Sequence, residues 1–173
     1  MLHSGITARR LLAFCVDWLV IAVWGAALFA AVVVLHPGHL PRPGSAWHAE
    51  AIGFLAMTVP VVLYFSLAEC SSAQATLGKR ALGLRVLAHG GGRMSARAAF
   101  LRNGVKFAPW ELGHVVANQA AFSTVGVPAW AYLPMVFSFL LPAWWVASIL
   151  VKGRAPYDAV ASAQVVRVRH VLA

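Results

Sequence analysis

The feature that most restricts this chain is the stretch from Leu11 to Leu35, twenty-five residues of nearly unbroken apolar side chains behind Arg9 and Arg10, with one acid, Asp17, inside it. About 20 apolar residues cross a bilayer core as a helix, so the segment is predicted to span. Its length and the internal Asp17 argue against a cleaved signal peptide, whose apolar core is about 7–15 residues. Asp17 falls about one and a half turns inside the run, where an unpaired carboxylate costs about 2.5–3.5 kcal/mol on insertion scales. Arg10 and Asp17 are seven residues apart and so share a helix face. That face is expected to look into protein or into interfacial water.

Composition supports a membrane protein. Of 173 residues 61% are hydrophobic and 11% charged, which excludes a disordered chain and an ordinary soluble domain. One domain, residues 1–173, is the natural count at this length. The formal charge of +9 is interspersed with apolar segments, which points to the bilayer and its anionic headgroups as partners and away from nucleic acid.

Beyond Leu35, three prolines and two glycines between His36 and Gly44 forbid helix continuation and make a loop. A second apolar run, Ala51 to Ala68, just suffices to cross, with a kink predicted at Pro60; Glu69 and Cys70 then mark the far interface. A long basic loop follows, Ser71 to Asn103, in which Ala81 to Leu87 alternates with a strand-like period of two and Gly90-Gly91-Gly92 makes a turn. Ser95 is placed to cap a helix whose start Arg97 and Arg102 hold at the membrane surface. Val105 to Phe122 is interrupted by Lys106, Glu111, His114, Asn118 and Gln119, and hydropathy alone would make it interfacial. Trp130 to Val151 is a clear span, with Pro134 and Pro142 as tolerated kinks.

Charge bias decides the third segment. Lysine and arginine favour the cytoplasmic side of short loops. Arg9 and Arg10, the basic loop, and the tail with Lys152, Arg154, Arg167 and Arg169 all belong inside only if Val105 to Phe122 also crosses. Thirteen of the 14 basic residues then lie inside, with Arg42 alone outside. The expected fold is therefore an all-α membrane protein with four transmembrane helices, at about 11–35, 51–68, 105–122 and 130–151, in the plasma membrane with both termini cytoplasmic. A small two-stranded cytoplasmic β element is added to this, because Ala81–Leu87 and Val165–Val171 share the period-two pattern and a lone strand leaves its backbone unpaired. Their pairing is expected to bring Asp158 close to Arg9 and Arg10.

Four blocks, in order, resemble the RDD family of small polytopic membrane proteins, named for one arginine and two aspartates. Arg9-Arg10-Leu11-Leu12-Ala13-Phe14-Cys15-Val16-Asp17 is similar to its opening helix and supplies the arginine, Arg10 or alternatively Arg9, and the first aspartate. Ala75-Thr76-Leu77-Gly78-Lys79-Arg80-Ala81-Leu82-Gly83-Leu84-Arg85-Val86 is similar to its central loop. Phe100-Leu101-Arg102-Asn103 resembles the start of its third helix, and Pro156-Tyr157-Asp158 with Val165-Val166 resembles the closing motif with the second aspartate. The chain departs from the family pattern at Gln74, where glycine is common, at Tyr157, where histidine is common, and at Ser162-Ala163, where Gly-Thr is usual. The resemblance implies a membrane protein for which transport is presumed, with ion or proton exchange proposed for some members.

Arg10, Asp17 and Asp158 are thus the candidate polar cluster. It would handle protons or cations, or it is a structural ion-pair network fastening the first helix to the loops; Asp17 is expected to be held as a carboxylate by Arg10 or Arg85. Glu111 and His114, three apart on one helix face, are a candidate intramembrane relay or a hydrogen-bonded pair inside the bundle. Gly78-Lys79-Arg80 lacks P-loop spacing, which leaves Lys79, Arg80 and Arg85 as candidate headgroup contacts. His36, His39 and His48 lack acids or cysteines beside them, so no metal is expected. Cys15 and Cys70 form no disulfide or zinc pattern. No hydrolase or cofactor motif supports enzyme activity. Two function classes stay open: a transporter of ions or small solutes, within a homo-oligomer or larger membrane complex because four helices line only a narrow path, and a non-transporting scaffold that holds other membrane proteins or anionic lipids.

Overall fold

The computed structural model describes residues 2–168, with side chains from residue 5 onward. The expectations for Arg169 and for the end of the second strand, 169–171, lie outside the described residues. Helix α1, Leu2–Leu35, is continuous over 34 residues, so Arg9 and Arg10 sit on the helix itself. Only 6% of its most apolar stretch is buried, and that much exposed hydrocarbon needs a solvent other than water.

The second run begins earlier and ends later than 51–68. Ser45 Oγ accepts from His48 N to start α2, Ala46–Gly53, which continues through a wide π-helical turn, Phe54–Thr58, into α3, Val59–Cys70. The turn lies just ahead of Pro60, which has no N–H to give to Ala56 four residues back. The freed Ala56 carbonyl instead accepts from Trp24 Nε1 of α1 at 2.9 Å, so the defect in one helix becomes a contact with another.

The polar loop folds locally. Thr76 Oγ1 caps the short α4, Leu77–Ala81, which takes the first residue of the expected strand, Leu82 and Gly83 form a turn, and β1 is Leu84–Ala88. It pairs antiparallel with β2, Ala163–Arg167, from Leu84↔Arg167 to Ala88↔Ala163. The two-stranded element therefore forms, with Leu84 and Val86 buried and Arg85 and Arg167 exposed. Gly91 turns at φ 94°, and Leu87 bridges to Arg93. Beneath the sheet Val86, Met94, Ala99, Ala161 and Ala163 make a small core.

Helix α5, Ala96–Phe122, is capped by Ser95 Oγ, which accepts from Ala98 N. Then α6, Tyr132–Lys152, ends on Gly153 in the left-handed conformation, and α7, Pro156–Val160, precedes β2. Among the described residues three helices are long and apolar enough to cross a membrane: Gly5–Leu35, Ala46–Cys70 and Ala129–Lys152. The fourth expected span forms a helix of 27 residues, about 40 Å at 1.5 Å per residue, but it is too polar to qualify. Its place in the bundle gives the reason. α5 packs against α2, α3, α6 and α7, with Arg102 and Asn103 buried, Lys106 and Glu111 half-buried, and Phe100, Leu101, Gly104 and Ala108 exposed. Its polar groups turn toward protein, as such groups do in membrane bundles.

Candidate functional site

One ends-of-helix network holds most of the buried charge. Glu69, at the end of α3 and 0% exposed, is gripped by three groups. Arg102 Nη1 lies 2.7 Å from both its oxygens, Lys79 Nζ donates at 2.9 Å and Asn103 Nδ2 donates at 2.9 Å. The other edge of the Arg102 guanidinium goes to Asp158 Oδ1, from Nε at 2.9 Å and Nη2 at 2.6 Å. Asp158 Oδ2 accepts from Arg10 Nη2 at 2.6 Å and from Ala155 N at 3.2 Å. The last bond is the reach-back of a carboxylate to the residue before its own helix.

Arg10 also donates Nη1 to the Gly153 carbonyl at 3.1 Å, and Arg9 Nη1 to the Leu82 carbonyl at 3.1 Å. Burial alone would push the Asp158 carboxyl up, but the guanidiniums of Arg102 and Arg10 outweigh it and hold the group below the usual carboxylate range. Burial and the adjacent Asp158 charge push the Tyr157 phenol up. The planar fork of Arg102 suits it to join two carboxylates, one per edge.

Asp17 is not part of this network, and the expected partnership with Arg10 or Arg85 does not form. The carboxylate is 1% exposed, yet its donors are neutral: Thr76 Oγ1 at 2.6 Å, Gly78 N at 2.8 Å and Tyr64 Oη at 3.2 Å. It completes the capping of α4 by taking the Gly78 N–H, while Leu77 N donates to Tyr64 Oη and Lys79 N to Thr76 Oγ1. The approach depends on Gly78. A Cβ there would lie 2.1 Å from the Ala13 carbonyl and 2.9 Å from Asp17 Oδ1, so this glycine serves close helix contact and not phosphate binding. Arg10 prefers Asp158, and Arg85 points outward from β1.

Two further expectations are corrected. Lys79 is 8% exposed and tied to Glu69, so it does not reach out to headgroups at the surface, whereas Arg80 and Arg85 are exposed. Arg102 is 1% exposed and lies at the centre of the network, not at a surface.

A second polar cluster lies deeper along α5. Glu111 Oε2 accepts from Thr58 Oγ1 of the π-helical turn and lies 3.9 Å from His114 Nδ1. On the same face of α5, Asn118 Nδ2 donates to Glu50 Oε2 of α2 at 2.7 Å. The other oxygen of Glu50, Oε1, is buried without a partner among the described residues.

Sequence reasoning missed Glu50, Glu69 and Lys106 as site residues. The signal for Glu69 was present, since an acid ending an apolar run meets the cost argument applied to Asp17. A model of the RDD family matches residues 5–162, a stretch that includes Arg10, Asp17, Glu69, Arg102 and Asp158. No curated protein matches the chain, and no solved structure matches it.

Proposed function

The chain belongs to the RDD family, and from that premise we propose that it is a multi-pass plasma-membrane protein that moves an ion or small solute coupled to protons or cations. The observation that carries this reading is the polar cluster between α2 and α5, in which Thr58 donates to Glu111, His114 lies beside Glu111 and Asn118 donates to Glu50. A carboxyl held within a bundle by hydroxyl and amide donors is a group that gains and loses charge as access to water changes. The Arg10–Asp158–Arg102–Glu69 network is the structural counterpart, since each carboxylate in it is met by two cations and additional N–H donors. It fastens α1, α3, α5 and α7 at one level.

Four crossings with both ends cytoplasmic belong to the same reading. Supporting it are the length of α5, its inward-turned polar face, and the thirteen-to-one distribution of basic residues that four crossings give. The test is flux in liposomes loaded with a pH-sensitive dye and challenged with a panel of cations. We expect proton movement that Glu111→Gln or Glu50→Gln reduces by at least about tenfold, with Asp17→Asn affecting it only through lost protein. Silent liposomes containing folded protein would overturn transport and leave the scaffold role.

A further inference from the structure

Between α1, α5 and α6 lies a cavity of about 290 Å³ whose wall is apolar and aromatic, with Phe14, Trp18, Trp110 and Trp145 prominent, and whose floor is cationic. Arg10, Lys79, Arg102 and Lys106 all line it, and no carboxylate does among the described residues. The first three cations are engaged by Glu69 and Asp158. Lys106 has no ion-pair or hydrogen-bond partner among the described residues. Its Nζ lies 3.9 Å from the centre of the Phe65 ring, 4.8 Å from that of Phe14 and 4.9 Å from that of Phe107. Four basic side chains face two carboxylates, and with Asp17 counted as a third, one of the four, Lys106, is still left without a carboxylate. Burying that amine as a lone charge is costly, and a singly charged oxyanion on Lys106 would let it keep its proton.

The shape of the site selects among such anions. α1 and α6 touch little, so the cleft lies between two span-length helices. Pro142 and Val146 on its α6 side are exposed, where the surroundings of a membrane protein are acyl chains. A water-soluble anion has no use for a tryptophan-lined wall, whereas a lipid fills both ends of the site at once. Basic pockets between membrane helices are suited to acidic headgroups. We propose that this cleft seats one anionic phospholipid, its phosphodiester on Lys106 and one acyl chain along the wall made by α1 and α6. This site is separate from the Glu50 and Glu111 cluster and from the exposed Arg80 and Arg85.

The experiment uses the full chain purified in detergent and titrated with phosphatidylglycerol carrying brominated acyl chains, which quench tryptophan fluorescence on contact. Three of the seven tryptophans, Trp18, Trp110 and Trp145, line the cavity. Saturable quenching is expected, at a half-point at least about tenfold lower than with brominated phosphatidylcholine, the fold-change set by one charge-assisted hydrogen bond. Lys106→Met, which keeps the stem among the rings, should abolish that preference, and Lys106→Arg should keep it. Val146→Phe, which narrows the cleft at an exposed position, should weaken binding of both lipids. Equal half-points for the two lipids, or an unchanged titration with Lys106→Met, would overturn the proposal. If Lys106→Met does not fold, an unchanged titration with Val146→Phe overturns it. Displacement by millimolar inorganic phosphate would assign the cleft to a soluble anion instead, and tighter binding of brominated oleate would assign it to a carboxylate.

Discussion

Two double-variant cycles separate the geometry found here from the pairing expected of the sequence. Asp158→Ala removes the acceptor of three charged hydrogen bonds, one from Arg10 and two from Arg102, and leaves both guanidiniums short of a partner in a buried site. Breaking a buried pair in this way costs about 3–5 kcal/mol. Arg10→Ala is milder, about 1.5–3 kcal/mol, because Asp158 keeps Arg102. The double variant should then cost less than the sum of the two by about 1–3 kcal/mol, since the pair that each single change breaks is absent in both. Asp17→Ala costs about 1–3 kcal/mol through its three neutral donors. Combined with Arg10→Ala it should be additive within about 0.5 kcal/mol, because the two side chains share no partner. The assay is thermal unfolding in one detergent, where 1 kcal/mol corresponds to about 2–4 °C for a chain of this size. Additivity of Arg10→Ala with Asp158→Ala, or strong coupling of Arg10→Ala with Asp17→Ala, would refute the assignment.

Other outcomes follow from single contacts. Gly78→Ala should prevent α4 from seating on α1, since the added carbon meets a backbone carbonyl; a fall in the yield of folded protein on size-exclusion chromatography checks it, and near-normal recovery would count against the close approach. Gln74 and Ser162 hold left-handed backbone at φ 53° and 47°, a conformation costing about 1–2 kcal/mol for an L residue. Gln74→Gly and Ser162→Gly should therefore each raise the melting temperature, the gain being reduced by the extra freedom of glycine in the unfolded chain. Asp158 is held below its ordinary value of 3.8, so its contribution is complete above that pH and is lost as pH falls through the lower folded value. Melting temperature should be less steep below about pH 4 in Asp158→Asn than in the unchanged chain, and identical slopes would show that Asp158 does not titrate as described.

What the sequence disclosed depended on the kind of signal. The apolar runs and the period of two in β1 and β2 are local patterns, and both gave the element they implied. β1 starts three residues later than expected because Thr76 caps a helix first. Asp17 announced itself by the cost of a carboxylate in an apolar run, but its partners did not. Attraction between opposite charges suggested an arginine, whereas the close approach allowed by Gly78 supplied backbone and hydroxyl donors, a tertiary fact that spacing does not carry. Arg102 was read as a surface anchor because basic residues collect at membrane edges. Its pairing with Glu69 and Asp158 joins positions 33 and 56 residues away. In α5 the polar and apolar residues of the inward face, such as Arg102, Lys106 and Phe107, average to a middling hydropathy that conceals a helix central to the bundle. The chain's departures at Gln74 and Ser162, where the family favours glycine, mark the two non-glycine residues of positive φ among the described residues.

The ion network also bears on how the protein is made. Arg10 and Asp158 are 148 residues apart, and synthesis at about 5–20 residues per second puts about 7–30 s between the emergence of one partner and of the other. Through that interval α1 is in place with its arginine unanswered. Arg102 emerges to find Glu69 but must wait for its second carboxylate. The bundle therefore closes from its carboxyl end: the short α7, which crosses nothing, is the latch that completes the fit of the first helix, and a chain cut short before Pro156 would leave the ribosome with two buried guanidiniums for a quality-control system to recognise.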